Sequence, residues 1–167
     1  MQHFYLNVYN QQNNLSIMNI ECSLKKIISK AKENFDPSII SSCIPYTKRT
    51  GIIFMLEQNN FYSKLRFSEN LIGNPINNVL HGGVIVALLQ NTAQYHILWQ
   101  KNLDYIPSII DISVNFLRKG RNVDTFARAI IIKDGKRVVN VDVKAWNDHE
   151  YKPIANASIN FLYKVNE

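Results

Sequence analysis

Cysteine is nearly absent: the 167-residue chain holds only Cys22 and Cys43. Neither has a second Cys or a His nearby at metal-ligand spacing. A zinc site and a disulfide scaffold are therefore excluded, and two reduced thiols in a cytoplasmic protein are expected. Charge is sparse too, at 19% of residues against 46% hydrophobic, which is too apolar for a disordered chain. Long apolar runs are missing. The longest, Val84 to Leu89, falls far short of a membrane span. There is no Walker-type loop, dinucleotide fingerprint or serine-hydrolase elbow, so neither a cofactor nor a metal is expected. The 19 basic and 13 acidic side chains leave a net charge of +6, an excess that suits a polyanionic small molecule. Nucleic-acid binding would need exposed aromatics within a basic stripe, whereas the aromatics here mostly follow apolar strand faces, so no nucleic-acid partner is expected.

What is present fits one globular domain. Residues 1–20 carry no Asp, Glu, Lys or Arg and are rich in Asn and Gln. They lack the basic segment and apolar core of a secretory signal and read as a low-complexity tail, or as an artefact if translation begins at Met18. From Glu21 the spacing of Leu24, Ile27, Ile28 and Ala31 predicts a surface helix with lysines on its other side. Asp36-Pro37 and Ile44-Pro45 break the chain afterwards, making 21–50 a helix and linker.

Strand signals follow. Gly51 to Gln58 and Phe61 to Phe67 flank Asn59-Asn60, and Gly73-Asn74-Pro75 is a turn signal. Ser108 to Arg118 places Ile110, Ile112, Val114 and Phe116 on one face and Asp111, Ser113 and Asn115 on the other. Asp124 to Lys133 ends at the hairpin signal Asp134-Gly135. Lys136 to Asn147 and Lys152 to Lys164 alternate in the same way, with Val139, Val141, Val143, Ala145 and Ala155, Ala157, Ile159, Phe161 on the apolar faces. This describes an antiparallel sheet with one buried and one wetter face.

Between these strands, Gly83 to Lys101 reads as a long helix whose first turns are apolar on every side. Such a helix must be buried all round. The predicted class is α+β: one antiparallel sheet wrapped around one central helix, with a second copy of the molecule covering what the sheet leaves open.

The segment Leu80-His81-Gly82-Gly83-Val84-Ile85-Val86-Ala87-Leu88-Leu89 resembles the start of the central helix in hotdog-fold acyl-CoA thioesterases, most closely the phenylacetate-degradation type. Asn115-Phe116-Leu117-Arg118-Lys119-Gly120, Gly135-Lys136-Arg137-Val138-Val139 and Pro153-Ile154-Ala155 are similar to later segments of that family, although Pro usually stands where this chain has Lys119. The likeness runs from about Gly51 to Lys164 and implies a hotdog domain over 51–165. It also implies hydrolysis of an acyl-CoA to free acid and CoA, and a homodimer or homotetramer.

The chemistry is concrete. A thioester carbonyl becomes an oxyanion when attacked, and backbone N–H groups at a helix N-terminus receive such charge. Gly82 and Gly83 lack a Cβ, so a carbonyl can approach their backbone closely. The resemblance implies that Gly83 donates the N–H and that His81 is an active-site residue. His96, in mid-helix, is expected to be a buried and hydrogen-bonded histidine, and His149 a turn residue. The family's acidic residue, nine positions after the histidine, is replaced here by Gln90. Gln accepts no proton at neutral pH, though it can orient a water; this keeps open a second reading, a module that binds acyl thioesters without efficient turnover. Asn74, Asn91 and Gln94 are further candidate substrate contacts. Arg118, Lys119, Arg121, Lys136 and Arg137, at two predicted strand ends, are candidates for the CoA phosphates. Seven residues separate Gly83 from Gln90, a rise of roughly 10 Å, so the two meet at one carbonyl only across a two-fold pair of antiparallel helices.

Overall fold

The computed structural model describes residues 24–101, 103 and 105–163; the expected tail and Cys22 lie outside these residues. Leu24, Ile28 and Ala31 are buried along a helix over 24–33 (α1), while Lys25, Lys26 and Lys30 are exposed, as the spacing predicts. The prolines that follow separate helices instead of ending helical structure. Pro37 precedes α2 (Ser38–Cys43), and Pro45 opens α3 (Pro45–Thr50), where its missing N–H costs nothing. Gly51, at φ 78°, closes α3 in the left-handed conformation that glycine supplies freely. Both short helices pack on β1 (Ile52–Glu57), so the expected linker is a small helical layer.

β2 (Asn60–Leu65) returns antiparallel to β1. The turn sits one residue earlier than the Asn59-Asn60 pair suggested: Gln58 and Asn59 take φ 49° and 67°, and Glu57 pairs with Asn60. Two successive positive φ values match the twist of a two-residue hairpin. A single 3₁₀ turn then leads into β3 (Ile72–Asn74), which pairs with β4 (Val79–Leu80). This ribbon stands where the sequence suggested only a turn. It delivers the chain to α4 (Gly82–Lys101). After α4 come β5 (Ser108–Phe116), β6 (Thr125–Asp134), β7 (Val138–Trp146) and β8 (Ala155–Leu162).

Six strands form one antiparallel sheet in the order β1-β2-β6-β7-β8-β5. Its inner face carries the predicted alternation, with Val139, Val141, Val143 and Ala145 on β7 and Ala155, Ala157, Ile159 and Phe161 on β8 all buried. Ala127, Ala145 and Ala155 make one cross-strand row. Their small side chains leave room for α4, which lies across β2, β6, β7 and β8. The outer face is wet and self-bonded: Asn140 donates to Asn160 at 3.0 Å, and Asn115 to Asn156 at 3.1 Å.

β5 corrects one expectation. Its ladder to β8 skips a residue between Ile109 and Asp111, so Ile110 is an extra residue and is 55% exposed. The bulge puts Ile109, with Ile112 and Val114, on the core side in its place. Phe116, expected on the buried face, is 56% exposed.

The buried-helix argument holds for most of α4. Ile85, Ala87, Leu88, Leu89, Ala93, Tyr95, Ile97 and Leu98 are all buried. Gly83 is exposed, and Val86, Gln90 and Gln94 are half-buried on the same stripe. Among the described residues, no helix is long and apolar enough to cross a membrane.

Candidate functional site

β4 ends at Leu80, whose N–H donates to Gly120 O at 3.0 Å, and α4 begins two residues later. His81 sits at this junction and is held from both directions. Its N–H donates to Leu71 O at 2.9 Å, and its carbonyl accepts from the N–H groups of Val84 and Ile85 at 2.9 and 3.3 Å. The side chain stays exposed. Gly83 N–H donates to His81 Nδ1 at 3.0 Å, so the imidazole caps its own helix. A ring nitrogen that accepts a hydrogen bond carries no proton. The neutral ring therefore holds its proton on Nε2.

This geometry bears on the expected oxyanion donor. The N–H of Gly83 is already engaged within the chain. Gly82 is the first residue of α4, and its N–H has no acceptor one turn back within the helix. With no hydrogen-bond partner among the described residues, it offers the positive end of the helix macrodipole. Beside it stands Phe116. A Cβ built on Gly82 would lie 3.3 Å from the Phe116 ring, so glycine here lets the ring close over the helix start. Thus Phe116, read from the sequence as a core residue, forms an exposed aromatic wall next to the free donor.

The other candidates divide. Asn74 ends β3 and spends its Oδ1 on Asn77 N–H at 3.0 Å, which holds the loop between β3 and β4. Gln90 shares the stripe of Gly83, two turns along α4, with part of its side chain in contact with solvent. One turn further, Gln94 donates to Pro107 O at 2.9 Å and pins the segment leading into β5 against the helix. Asn91 faces the interior, where its amide donates to Ala87 O at 2.8 Å, so it is not brought to the surface that His81 occupies.

The cations divide as well. Arg118, Lys119 and Arg121 lie on the loop after β5, at the His81 end of α4. Arg118 donates to Pro153 O at 2.6 Å, and Arg121 is paired with Asp148. Lys136 and Arg137 are exposed in the β6–β7 hairpin. That hairpin is tied to the other end of α4 by the pairing of Lys101 with Asp134. A 20-residue helix is about 30 Å long, so one chain does not bring the two groups of cations together.

His96 is buried as expected, but its Nδ1 has no hydrogen-bond partner among the described residues. Burial beside the Phe61 ring pulls its pKa down from 6.5 to about 4. His149 lies in the turn between β7 and β8, stacked on Tyr151. Cys43 is free and exposed. Among the described residues no group of His, Cys, Asp and Glu could hold a metal ion.

One residue that matters to this geometry was read from the sequence only as a turn signal. Gly73 lies directly against His81, and a Cβ on it would come within 2.9 Å of three His81 atoms. No periodicity marks it, because the contact joins a residue of β3 to one just past the end of β4.

Known proteins with this architecture were found in sequence and in structure. The chain superposes on a protein from Chromobacterium violaceum with TM-score 0.69, 30% identity, and coverage of 84% of this chain and 98% of that one. A Bacillus halodurans protein, solved with CoA, superposes with TM-score 0.63 at 18% identity, covering 89% of this chain and 94% of that one. A Ralstonia eutropha protein described as a candidate thioesterase related to phenylacetic acid degradation gives TM-score 0.64 at 18% identity, covering 72% and 91%. These last two likenesses establish the hotdog fold. In sequence, a candidate esterase of Saccharolobus solfataricus is 28% identical over 88 residues, 52% of this chain, and the match spans 57% of that relative's length. The family profile of the acyl-CoA thioesterase N-terminal domain matches residues 73–162, more than half of the chain, from the glycine beneath His81 to the last residue of β8. By that match and by its fold, the chain belongs to the acyl-CoA thioesterase N-terminal domain family of hotdog proteins.

Proposed function

We propose that this protein hydrolyses an acyl-CoA thioester to free acid and CoA at a site shared between two copies of the chain. The observation that carries the reading is the start of α4, where an uncommitted Gly82 N–H stands beside an exposed His81 with Nε2–H directed away from the helix cap. The thioester oxygen accepts from Gly82 N–H and, in reach of the ring, from His81 Nε2–H. As a water adds to the carbonyl carbon, these donors take up the negative charge on oxygen. The C–S bond then breaks, CoA leaves as the thiolate, and the water's proton passes to solvent, because Gln90 has no basic site. Phe116 lies against the group carried by the carbonyl. Arg118, Lys119 and Arg121 are near enough to this end of α4 to meet phosphates.

Two features support a dimer. β5 is the last strand of the sheet, so among the described residues one side of it has no ladder. The partly exposed stripe Gly83, Val86, Gln90 and Gln94 lies alongside, since Gln94 is bonded to the residue before β5. Two copies joined along β5 would set their α4 helices antiparallel, with His81 of each facing Gln90 of the other. Lys136 and Arg137 would reach the phosphates only from the second copy. We expect sedimentation to give a dimer, or a pair of dimers, at micromolar concentration. A shared site also predicts rescue. His81→Ala, which loses an oxyanion donor, and Gln90→Ala, which loses the amide that orients the water, should each be impaired alone and regain about a quarter of wild-type activity when mixed, because half the dimers then hold one intact site. A fully active monomer, or no rescue after confirmed subunit exchange, would refute the shared site.

The decisive assay is thiol release from short, medium, long and aromatic acyl-CoAs, with thermal shift on the same compounds. Release from any one of them supports hydrolysis. The second reading, acyl-thioester binding without turnover, is favoured by the uncharged Gln90. Stabilisation by the panel without release would establish it.

A further inference from the structure

The ladder of the small ribbon is irregular. Ile72 pairs with Leu80 and Asn74 with Val79, so Gly73 is an unmatched residue between two paired ones. Extra residues of this kind re-aim neighbouring side chains and recur beside functional sites. A glycine in such a place is often explained by a backbone conformation that other residues avoid. That explanation fails for Gly73, because among the described glycines only Gly51 has a positive φ. Alanine would be allowed here by backbone angles alone.

Space gives the reason. A Cβ on Gly73 would lie 2.6 Å from His81 Cα, 2.8 Å from its Cβ and 2.9 Å from its Cδ2. Two of those atoms are anchored by backbone bonds on both sides of His81, to Leu71 O before it and from Val84 and Ile85 after it. The ring's other side is closed too: a Cβ on Gly83 would meet His81 Nδ1 at 3.0 Å and Cε1 at 3.2 Å. The imidazole therefore lies between Gly73, where a Cβ cannot fit unless His81 moves, and Gly83, where a Cβ would press tightly on the ring. In that slot its Nδ1 faces Gly83 N–H and its Nε2 faces away.

We propose that Gly73 is a positioning residue that seats the His81 imidazole in one rotamer and one tautomer, so that Nδ1 caps α4 and Nε2–H is held ready for the substrate. This rests on the thioesterase reading for its consequence in catalysis, but the seating itself can be measured without any substrate. Gly73→Ala must push His81 aside, because the two nearest clashing atoms are its Cα and Cβ and not the end of a flexible side chain. Losing the seat frees the ring to exchange between rotamers and tautomers.

The test compares wild type with Gly73→Ala by imidazole-nitrogen NMR at neutral pH, by hydrogen exchange at Gly83, and by steady-state CoA release. In wild type the His81 ring should be a single Nε2–H tautomer with Nδ1 hydrogen-bonded. In the variant the ring should average both tautomers, and the Gly83 amide should exchange faster. kcat should fall on the order of 100-fold, the loss that a misplacement of about 1 Å brings, while KM changes little. Asn74→Ala, one residue away, should leave the His81 tautomer unchanged. An undisturbed His81 spectrum in a folded Gly73→Ala protein overturns the proposal. If that variant does not fold, the wild-type spectrum still decides: a ring that averages both tautomers overturns it. If wild type releases no CoA at all, the thioesterase reading fails while the NMR comparison continues to judge Gly73.

Discussion

Gln90→Glu should raise the rate of CoA release by about 10²- to 10⁴-fold, the usual span of a general-base contribution. Glu has nearly the shape of Gln, so the change supplies a carboxylate with little repacking. The position also suits a charge. Gln90 is half-buried on α4, in line with the exposed Gly83, so among the described residues the new carboxylate keeps contact with water. Across the two-fold pairing it would lie beside the oxyanion donors of the partner copy, where it takes the proton that water must lose. CoA release and melting temperature should be measured together. A higher rate at an unchanged melting temperature is the expected result. An unchanged rate with a lowered melting temperature would mean that the partner copy seals Gln90 into a dry seam, where an unpaired charge is costly. The binding-module reading would then replace the enzyme.

A second large effect should appear in acid. His96 is buried with an unpartnered Nδ1, and burial lowers its pKa from 6.5 to about 4. Between those two values the unfolded chain binds a proton that the folded chain refuses. Stability from this group is therefore complete above about pH 6.5 and is lost as pH falls toward 4. At about 1.4 kcal/mol per pH unit, the loss reaches roughly 3 kcal/mol by pH 4. His96→Leu removes the titrating group and keeps an apolar side chain against Phe61. Urea unfolding of both proteins at pH 7.5 and pH 4 should show the variant losing roughly 3 kcal/mol less than wild type over that interval. An equal loss in both would mean that His96 protonates normally in the folded state.

These two residues show where sequence reasoning stops. Gln90 stood out because a known motif sets its neighbours and spacing, and it puts an uncharged amide where that motif has an acidic residue. His96 was legible as buried, since apolar positions surround it on the helix. Whether its nitrogen finds a partner depends on what packs against it, here Phe61 of β2, and no spacing along the chain carries that information. β5 makes the same point for the fold. Strict alternation assigned Ile110 and Phe116 to the core, but one extra residue against β8 turned Ile110 outward and put Ile109 in its place. A bulge is a property of the pair of strands, and either strand alone reads as regular.

The sequence by itself determined the α+β class, the central helix and the strands around it, because 3.6-residue and two-residue periodicities are local and each fixes one buried face. It also determined the His81-Gly82-Gly83 start of α4, because a histidine, two glycines and an apolar run are adjacent in the chain. Tertiary structure alone decided which groups at that start are free to act. His81 Nδ1 takes the N–H of Gly83, the Gly82 N–H has no partner among the described residues, Phe116 stands beside it, and Gly73 makes room for the ring. Each of those contacts joins atoms through space within a few ångströms, over separations in sequence that range from two residues to more than thirty, and only a folded backbone brings them to that distance.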